Sequence, residues 1–262
     1  MTDITPIDKS HQAMEAAPED VSARLRFYER VAESELFLLL QEEPQGDQMT
    51  PQMFDVETGQ FVLVFDREER LADFVGGTAP YAVLSGRVIS EMLAGQGVGL
   101  GLNLSVAPSS FLIPADGVDW LAETLSNKPQ QVDATPEEVS APHGVPEALL
   151  TALDAKLALA AGLALSAYLV SVQFKDRGQG HLLAFVDAVP GAEDALASAV
   201  AEALTFSGVE AGALDVAFFK ASDPMAARLA RVGLQFDLPE LEASDHTPAA
   251  PGRNPDKPPI LR

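Results

Sequence analysis

Cysteine is absent from the 262-residue chain, and basic residues are scarce, with 17 Lys and Arg against 39 Asp and Glu. Without cysteine there is no disulfide framework, no thiolate nucleophile and no zinc–thiolate site. The formal net charge of -22 argues against nucleic acid as a partner, because phosphate binding needs Lys and Arg to displace counterions. The same charge argues against an anionic membrane surface. We therefore expect neither nucleic acid nor a membrane as a partner.

A basic start and an apolar run, the two marks of a secretory signal, are both missing from the N-terminal segment. One apolar stretch, residues 157–174, is about as long as a short membrane-spanning helix. Gly162 interrupts it, and Ser166, Ser171 and Gln173 then alternate with apolar residues. Alternation is typical of a strand, so we interpret the stretch as a helix end followed by a buried strand. We expect a cytoplasmic protein.

The charge is distributed unevenly, which helps to divide the chain. Residues 1–140 hold 8 basic and 24 acidic residues, a net of -16, and the remaining residues carry a net of -6. The change coincides with a polar stretch that contains Pro129, Pro136 and Pro142, which indicates a linker. The predicted segments are a flexible N-terminus at 1–17, a first domain at 18–126, a linker at 127–144, a second domain at 145–238 and a disordered proline-rich tail at 239–262.

Hydrophobic periodicity predicts an α+β fold, with two small domains that each consist of a mixed β-sheet with helices packed on it. In the first domain we expect strands at 35–40, 61–65, 81–84, 98–104 and 111–113, and helices near 21–31, 85–93 and 116–125. In the second we expect strands at 167–174, 182–186, 214–219 and 234–236, and helices near 145–161, 192–206 and 224–232. Residues 175–178 are typical of a hairpin turn.

The glycine-rich run from Gly95 to Gly101 is the one segment that suggests a nucleotide site. It lacks the third glycine of the dinucleotide fingerprint, and a strand follows it where that motif needs a helix. No P-loop lysine motif and no Gly-x-Ser-x-Gly nucleophile elbow occur in the chain. We interpret the glycines at 97, 99 and 101 as one face of a strand, where another segment approaches closely, while Val98, Leu100 and Leu102 face the core.

Titratable side chains form no recognisable catalytic or metal-binding constellation. The acidic pairs and clusters lack the spacing of a calcium loop, and a solvated acidic face is the usual role of such residues. The histidines are far apart in sequence, and we expect solvated side chains at His11, His143, His181 and His246. We therefore assign no catalytic, cofactor-binding or metal-binding residue.

The stretch from Phe61 to Leu125 carries a recognisable series of features. A strand ends at Phe65, an acidic helix with Leu71 and Phe74 follows, and a second strand ends in Gly101-Leu102-Asn103. Between them lie Tyr81 and the segment Leu84-Ser85-Gly86-Arg87, which leads into a helix. In this series the chain resembles the N-terminal domain of the SseB family (enhanced serine sensitivity protein B), and residues 146–236 are similar to the family's smaller C-terminal domain.

This resemblance implies an α+β bacterial cytoplasmic protein without an established catalytic mechanism, and it carries over no catalytic residues. The chain departs from the family's pattern after Asn103, where Leu104 and Ser105 stand in place of proline and glycine. We therefore expect a different turn there.

Two hypotheses about function follow. The first is a non-enzymatic protein-interaction or regulatory module with a basic protein partner, because an acidic surface steers basic partners. The alternative is a small-molecule binding protein or enzyme for an anionic metabolite, with a pocket near Tyr81, Arg87 and Asn103. Ser85 would add a hydrogen bond, and we predict these four residues as ligand or partner contacts.

Overall fold

A computed structural model describes residues 4–44, 46, 48–126, 136–174, 178–209 and 214–239. Within them the fold is α+β, as the sequence predicts, with two mixed sheets and helices packed on them. Residues 175–177 of the predicted hairpin turn, the linker residues 127–135 and the tail beyond Pro239 lie outside the described residues.

The first domain contains five helices and six strands in its described residues. In chain order they are α1 (Pro6–Ala16), α2 (Val21–Glu33), β1 (Glu35–Leu39), β2 (Met53–Val56), β3 (Gly59–Phe65), α3 (Glu68–Val75), β4 (Tyr81–Ser85), α4 (Gly86–Leu93), β5 (Val98–Leu102), β6 (Phe111–Ile113) and α5 (Ala115–Ser126).

The sheet of the first domain has the strand order β4-β1-β3-β5-β6, and β2 also pairs with β3. β3 and β5 run parallel, and the other pairs are antiparallel. Because their carboxyl ends meet at one edge of the sheet, the residues that follow these two strands lie close together. The helices α1, α2 and α4 contribute to the core on one face, and α3 contributes to the smaller core on the other.

The glycines of β5 have the role that the sequence predicts. Leu100 and Leu102 belong to the main core, whereas Gly99 and Gly101 face the other side of the sheet. A Cβ atom at Gly99 would lie 2.6 Å from the carbonyl oxygen of Ile113, so only glycine leaves enough room there. The prediction is confirmed for Gly99 and Gly101. It is wrong for Gly97, which precedes β5 in a turn with φ of 69°, and where a Cβ atom would meet nothing within 4 Å.

The second domain contains three helices and five strands in its described residues. They are β7 (Pro136–Ser140), α6 (Glu147–Leu157), β8 (Ser166–Phe174), β9 (Gly178–Val186), α7 (Glu193–Phe206), β10 (Asp215–Phe219), α8 (Pro224–Val232) and β11 (Leu234–Phe236). The sheet order is β10-β9-β8-β11, with β7 also paired to β8. No described helix is both long enough and apolar enough to cross a bilayer.

The two sheets share a pattern of one parallel and two antiparallel pairs, β4-β1-β3-β5 in the first and β11-β8-β9-β10 in the second. The chain reaches the outer strands in a different order. In the first domain the antiparallel outer strand β4 precedes the parallel strand β5, whereas in the second the parallel strand β10 precedes β11. The two sheets therefore share the arrangement of these strands in space but not the order in which the chain connects them.

The N-terminal segment differs from its predicted flexible state, and that prediction is wrong for residues 6–16. Thr5 and Asp8 form a reciprocal capping box at the start of α1, and Pro6 occupies the first helical position. Ile7, His11 and Met14 are buried on one side of this helix. Their burial against the first domain outweighs the polar character of the rest of the segment.

Part of the predicted linker is also structured, so the linker prediction is wrong for residues 136–140. They form β7, which pairs antiparallel with the second half of β8. The strand lies at the edge of the sheet, where proline is tolerated because one side of the backbone needs no ladder partner.

Candidate functional site

A buried polar network lies at the carboxyl ends of the parallel strands β3 and β5. Asp66 directly follows β3, and Arg70 lies in the first turn of α3. The Arg70 guanidinium donates to both carboxylate oxygens of Asp8, at 3.1 and 2.6 Å, and to Asp66 at 2.8 Å. The side chains of Arg70, Asp8 and Asp66 are only 1%, 3% and 5% exposed. The bidentate pair ties α1 to α3.

Hydroxyl and amide groups complete this network. Ser109 donates to Asp8 at 2.6 Å, and Thr5 donates to Asp66 at 2.6 Å. The Asn103 side chain donates to Ser109 at 2.9 Å and accepts from the Asp66 backbone N–H at 3.1 Å. Each carboxylate is therefore both paired and hydrogen-bonded, as a buried charge requires.

The electrostatics of Asp8 follow from these contacts. Burial alone would raise the pKa of the Asp8 carboxyl, but hydrogen bonds from Arg70, Ser109 and the Thr5 backbone hold it well below its ordinary value. Burial would lower the pKa of Arg70, but the hydrogen bonds and charges of Asp8 and Asp66 raise it. Both groups therefore stay in their charged forms, and the ion pair between them holds α1 in place.

His11 is buried as well, which overturns the expectation of a solvated side chain. It is 3% exposed, and its ring packs edge-on against Phe27 and Phe111, with centroids 5.4 and 5.5 Å away. Its Nε2 atom has no hydrogen-bond partner in the part of the chain that the structure describes. The ring acts here as a core side chain.

Asn103, one of the four predicted contact residues, is fully buried within this network. Its backbone adopts the left-handed conformation, with φ of 49°, and Ser105 does the same with φ of 61°. Asn tolerates this region better than most residues because its short amide forms local hydrogen bonds. The structure therefore places Asn103 at a turn, away from the other three predicted residues.

The other three predicted residues lie together along β4 and the start of α4. Tyr81 begins β4 and packs edge-on against Phe37, with ring centroids 5.3 Å apart. Ser85 ends the strand and caps α4 by accepting from the backbone N–H of Val88. Arg87 follows in the first turn of α4. These residues form a continuous edge of the first domain.

Arg87 connects this edge to the second domain. Its guanidinium donates to Glu202 of α7 at 2.9 Å and is 40% exposed. Glu202 also contacts Lys156 of α6, whose ammonium lies 3.2 Å from Glu29 and 2.6 Å from Glu33 of α2. This junction of five charged groups, three carboxylates and two cations, holds the two domains together, and Phe206 packs beside it.

The pKa values of the charged groups around the Lys156 ammonium shift in different directions. Burial would lower the pKa of Lys156, but the hydrogen bond to Glu33 and the nearby carboxylates raise it above its ordinary value. Burial raises the pKa of Glu29, and Lys156 offsets that rise only in part. For Glu202, contacts with Arg87 and Lys156 outweigh burial and lower the pKa. Glu202 is therefore the carboxylate that the junction stabilises as an anion.

A groove of about 380 Å³ lies beside the junction, between the two domains. One wall carries Ser85, Arg87 and Glu33. The other wall is mainly apolar and comes from α6, α7 and the loop that follows α6, with these residues: Leu159, Ala160, Leu163, Ala195, Leu196 and Ala199. Two predicted contact residues thus line a groove with an amphipathic character.

A second cavity, of about 360 Å³, lies over β7, β8 and β9 and is lined by polar side chains. His143 and His181 both line it, and the Nδ1 atom of His143 lies 3.0 Å from the hydroxyl of Ser171. The Nε2 atom of His181 lies 2.9 Å from the backbone oxygen of His143. These contacts fasten the segment before α6 to the sheet. The remaining histidine, His246, lies outside the described residues.

The most deeply buried polar residues were not predicted from the sequence. Asp8 and Arg70 are 62 positions apart, so no local pattern joins them. The sequence does carry a signal for the helix that begins near Asp8, because Thr5-Pro6-x-Asp8 has the spacing of a capping box with proline at the first helical position. Lys156 carried no signal, since its three carboxylates come from two helices that are distant in sequence.

Among the described residues, no group of three or more His, Cys, Asp and Glu side chains is arranged to hold a metal ion. No curated protein and no solved structure matches the chain significantly. Residues 11–120 match the family described as "SseB protein N-terminal domain". The likeness of residues 146–236 to the family's C-terminal domain stays a prediction. The matched segment spans the sheet, Arg70, Asn103 and the Ser85–Arg87 edge. The first domain is therefore similar to the N-terminal domain of the SseB family.

Proposed function

We propose that the protein is a non-enzymatic interaction or regulatory module of the bacterial cytoplasm, which binds a basic protein partner beside the groove between its domains. The observation that carries this proposal is a pair of exposed leucines in the loop that follows α6, which contributes Leu159 to the lining of the groove. Leu159 is 73% exposed and Leu165 is 65% exposed. Large apolar side chains displayed at a rim of this kind are typical of a docking surface.

Backbone hydrogen bonds hold the loop that carries these leucines. The N–H of Leu159 donates to Lys156 at 3.1 Å, and the N–H of Leu165 donates to Val186 at 3.0 Å. Between them, the carbonyl of Leu163 accepts from Val189 at 2.8 Å. Because the loop is already ordered, a partner that covers the leucines would lose little conformational entropy on binding.

Charge supports the choice of a basic partner. The net charge of -16 over residues 1–140 belongs largely to the domain that forms one side of the groove. Such a field attracts a positively charged partner over a long range, chiefly by raising the association rate, and salt screens it. The interaction should therefore weaken as the ionic strength rises.

The alternative, an anionic metabolite bound near Tyr81, Arg87 and Asn103, has less support. Asn103 is fully buried among protein partners, and the Arg87 guanidinium is already paired with Glu202. An anion at Arg87 would compete with that carboxylate and would meet the surplus negative charge of the junction. We therefore favour the interaction module.

The test is a binding measurement with a purified partner. A partner captured from the organism's own extract at low salt is purified, and its affinity is measured by calorimetry for three proteins: wild type, the double variant Leu159→Ser with Leu165→Ser, and the control Val56→Ser. Val56 is 43% exposed but lies at the opposite end of the first sheet.

The double variant should bind about tenfold more weakly or worse, as expected when apolar anchors are removed, and the control should match the wild type. High salt should weaken all three. If no captured protein binds after purification, or if the double variant binds like the wild type, the proposed function is wrong.

A further inference from the structure

The outer edge of β4 carries backbone groups that no described strand uses. β4 pairs with β1 on one side through all five of its residues. On the other side, the described part of the chain places no strand beside it. An edge strand with free N–H and C=O groups is a template for another strand.

The hydrogen bonds to β1 show which groups point outward. The N–H of Leu40 donates to the carbonyl of Pro80, and the N–H of Gly86 donates to the carbonyl of Ser34, so these groups of residues 80 and 86 point toward β1 and its flanks. Bonded and non-bonded pairs alternate along an antiparallel ladder. Ala82 and Leu84 therefore also face β1, whereas Tyr81 and Val83 direct their backbone groups outward.

The edge has little of the protection that natural edge strands usually carry. Its sequence, Tyr81 to Ser85, contains no charged residue and no proline, and Val83 is 46% exposed. The strand at the opposite edge of the same sheet, β6, has only three residues. Short strands, charges and prolines are the common defences against strand addition, and β4 has none of them.

Acidic side chains stand at both ends of this edge. Glu35 is exposed and pairs in register with Ser85 at one end. At the other end, the carboxylates of Glu68 and Glu43 lie near the Tyr81 hydroxyl and raise its pKa. A strand laid along β4 would thus meet an apolar centre between two negatively charged ends. The end of the added strand next to Ser85 would lie beside the groove between the domains, because Ser85 also lines that groove.

We propose that the β4 edge binds an extended segment of the basic partner as an added strand, with an apolar residue opposite Val83 and Lys or Arg at the ends. This inference rests on the proposed function and specifies how the partner docks. Main-chain hydrogen bonds supply the binding, and the side chains at alternate positions supply the selectivity.

A second copy of the chain fits this edge less well. Antiparallel pairing of two β4 strands would bring the Glu35 end of one copy against the Glu43 and Glu68 end of the other. Each copy also carries a net charge of -22, so the two edges repel one another. Charge therefore selects a basic segment over self-association.

The experiment uses synthetic peptides of alternating valine and threonine with lysines at both ends, and fluorescence anisotropy with the full-length protein. Two matched peptides have glutamates at the ends or a central proline. The test variant is Val83→Pro, which removes an outward N–H and leaves the bonds to β1 in place. Val83→Thr is the control because it keeps the N–H and the branched shape, and Val83→Lys is a second edge variant if the proline disturbs folding.

The lysine peptide should bind the wild type and Val83→Thr equally, and about tenfold more weakly to Val83→Pro, which corresponds to one lost backbone hydrogen bond. The glutamate and proline peptides should not bind. Equal binding to all variants, or no binding of the lysine peptide, would overturn strand addition at β4.

Two further measurements separate this inference from the proposed function. If the purified partner binds Val83→Pro and Val83→Lys as tightly as wild type, the interaction module stands but the β4 edge is not its docking site. Sedimentation over a range of concentrations tests the second copy as occupant. A wild-type dimer that Val83→Pro abolishes would show that β4 pairs with itself, which would also overturn the proposal.

Discussion

Replacing Arg70 with methionine should destabilise the first domain more than any other single change in the buried network. The substitution leaves Asp8 and Asp66 buried without a cation, at 3% and 5% exposure. Removing one partner of a buried ion pair costs about 3–5 kcal/mol, because the remaining charge has lost its compensation. Asp8→Ala should cost less, since Arg70 keeps its contact with Asp66 at 2.8 Å.

The double variant Asp8→Ala with Arg70→Met tests the cause of that cost. If the unpaired Asp8 carboxylate is responsible, removing it as well should recover roughly 1–3 kcal/mol relative to the sum of the single changes. Urea unfolding followed by circular dichroism measures all the variants. The control is Arg26→Met, which removes an exposed pair with Asp20 at 3.6 Å and should change stability by at most about 0.5 kcal/mol. An Arg70→Met variant as stable as this control would refute the reasoning.

The pH dependence of the same pair has a definite sign. The pKa of Asp8 is depressed in the folded state, so its contribution is fully present well above the ordinary aspartate pKa of about 3.9. As the pH falls below about 4, the unfolded state takes up the proton first, and the contribution is lost. The difference in unfolding free energy between wild type and Asp8→Asn should therefore be constant near neutral pH and should shrink in acid. A difference that grows in acid would contradict this account.

Three other outcomes are expected. Gly86→Ala should destabilise by about 1–3 kcal/mol or prevent folding, since its Cβ would lie 2.8 Å from a backbone carbonyl carbon of α2. Gly77→Ala should leave the melting temperature nearly unchanged, because a Cβ atom there would meet nothing within 4 Å. If both alanine variants lowered the melting temperature equally, the close approach of α2 to Gly86 would not be the cause. At pH 7, Glu202→Gln should lower stability by roughly 1–3 kcal/mol, because it weakens two charged contacts. Glu29→Gln should cost less or raise stability, because a folded-state pKa that is raised makes the ionised form unfavourable above the ordinary glutamate pKa. If thermal unfolding showed Glu29→Gln to be less stable than Glu202→Gln, Lys156 would stabilise the Glu29 carboxylate more than that of Glu202, against this account.

The sequence predicted the features that depend on local pattern. The strand at 61–65 was visible as a continuous apolar run, and the helix after Ser85 was visible from its capping residue and the spacing of Ile89 and Leu93. The alternation of Gly99 with its leucine neighbours showed which face of β5 is crowded. In each case the cause acts within a few residues, so the pattern survives in a single sequence.

The segments that escaped prediction are stabilised by distant parts of the chain. α1 is polar along most of its length, and its buried positions include His11, which concealed the apolar face. β7 contains Glu138 and begins with Pro136, so it has no strand pattern and depends on its pairing with β8. Burial in the folded molecule overrides local preference at both sites.

The candidate site divided in the same way. Tyr81, Ser85 and Arg87 were found together because they follow one another along a single strand and helix. Asn103 shares only its polar character with them, and its side-chain partners are the Asp66 backbone after β3 and Ser109 in the loop after β5. The groove was out of reach of the sequence, because its walls come from separate domains.

The Asp8–Arg70 contact has a practical consequence for the limits of the folding unit. The family match begins at residue 11, yet Asp8 lies before it and neutralises the Arg70 guanidinium that lies inside it, and Thr5 donates to Asp66. A fragment cut at the family boundary would keep Arg70 and lose its bidentate partner, together with the first turn of α1. The autonomous unit therefore starts at or before Thr5, and expression of residues 11–126 should yield a poorly folded, protease-sensitive product where residues 4–126 yield a cooperative one.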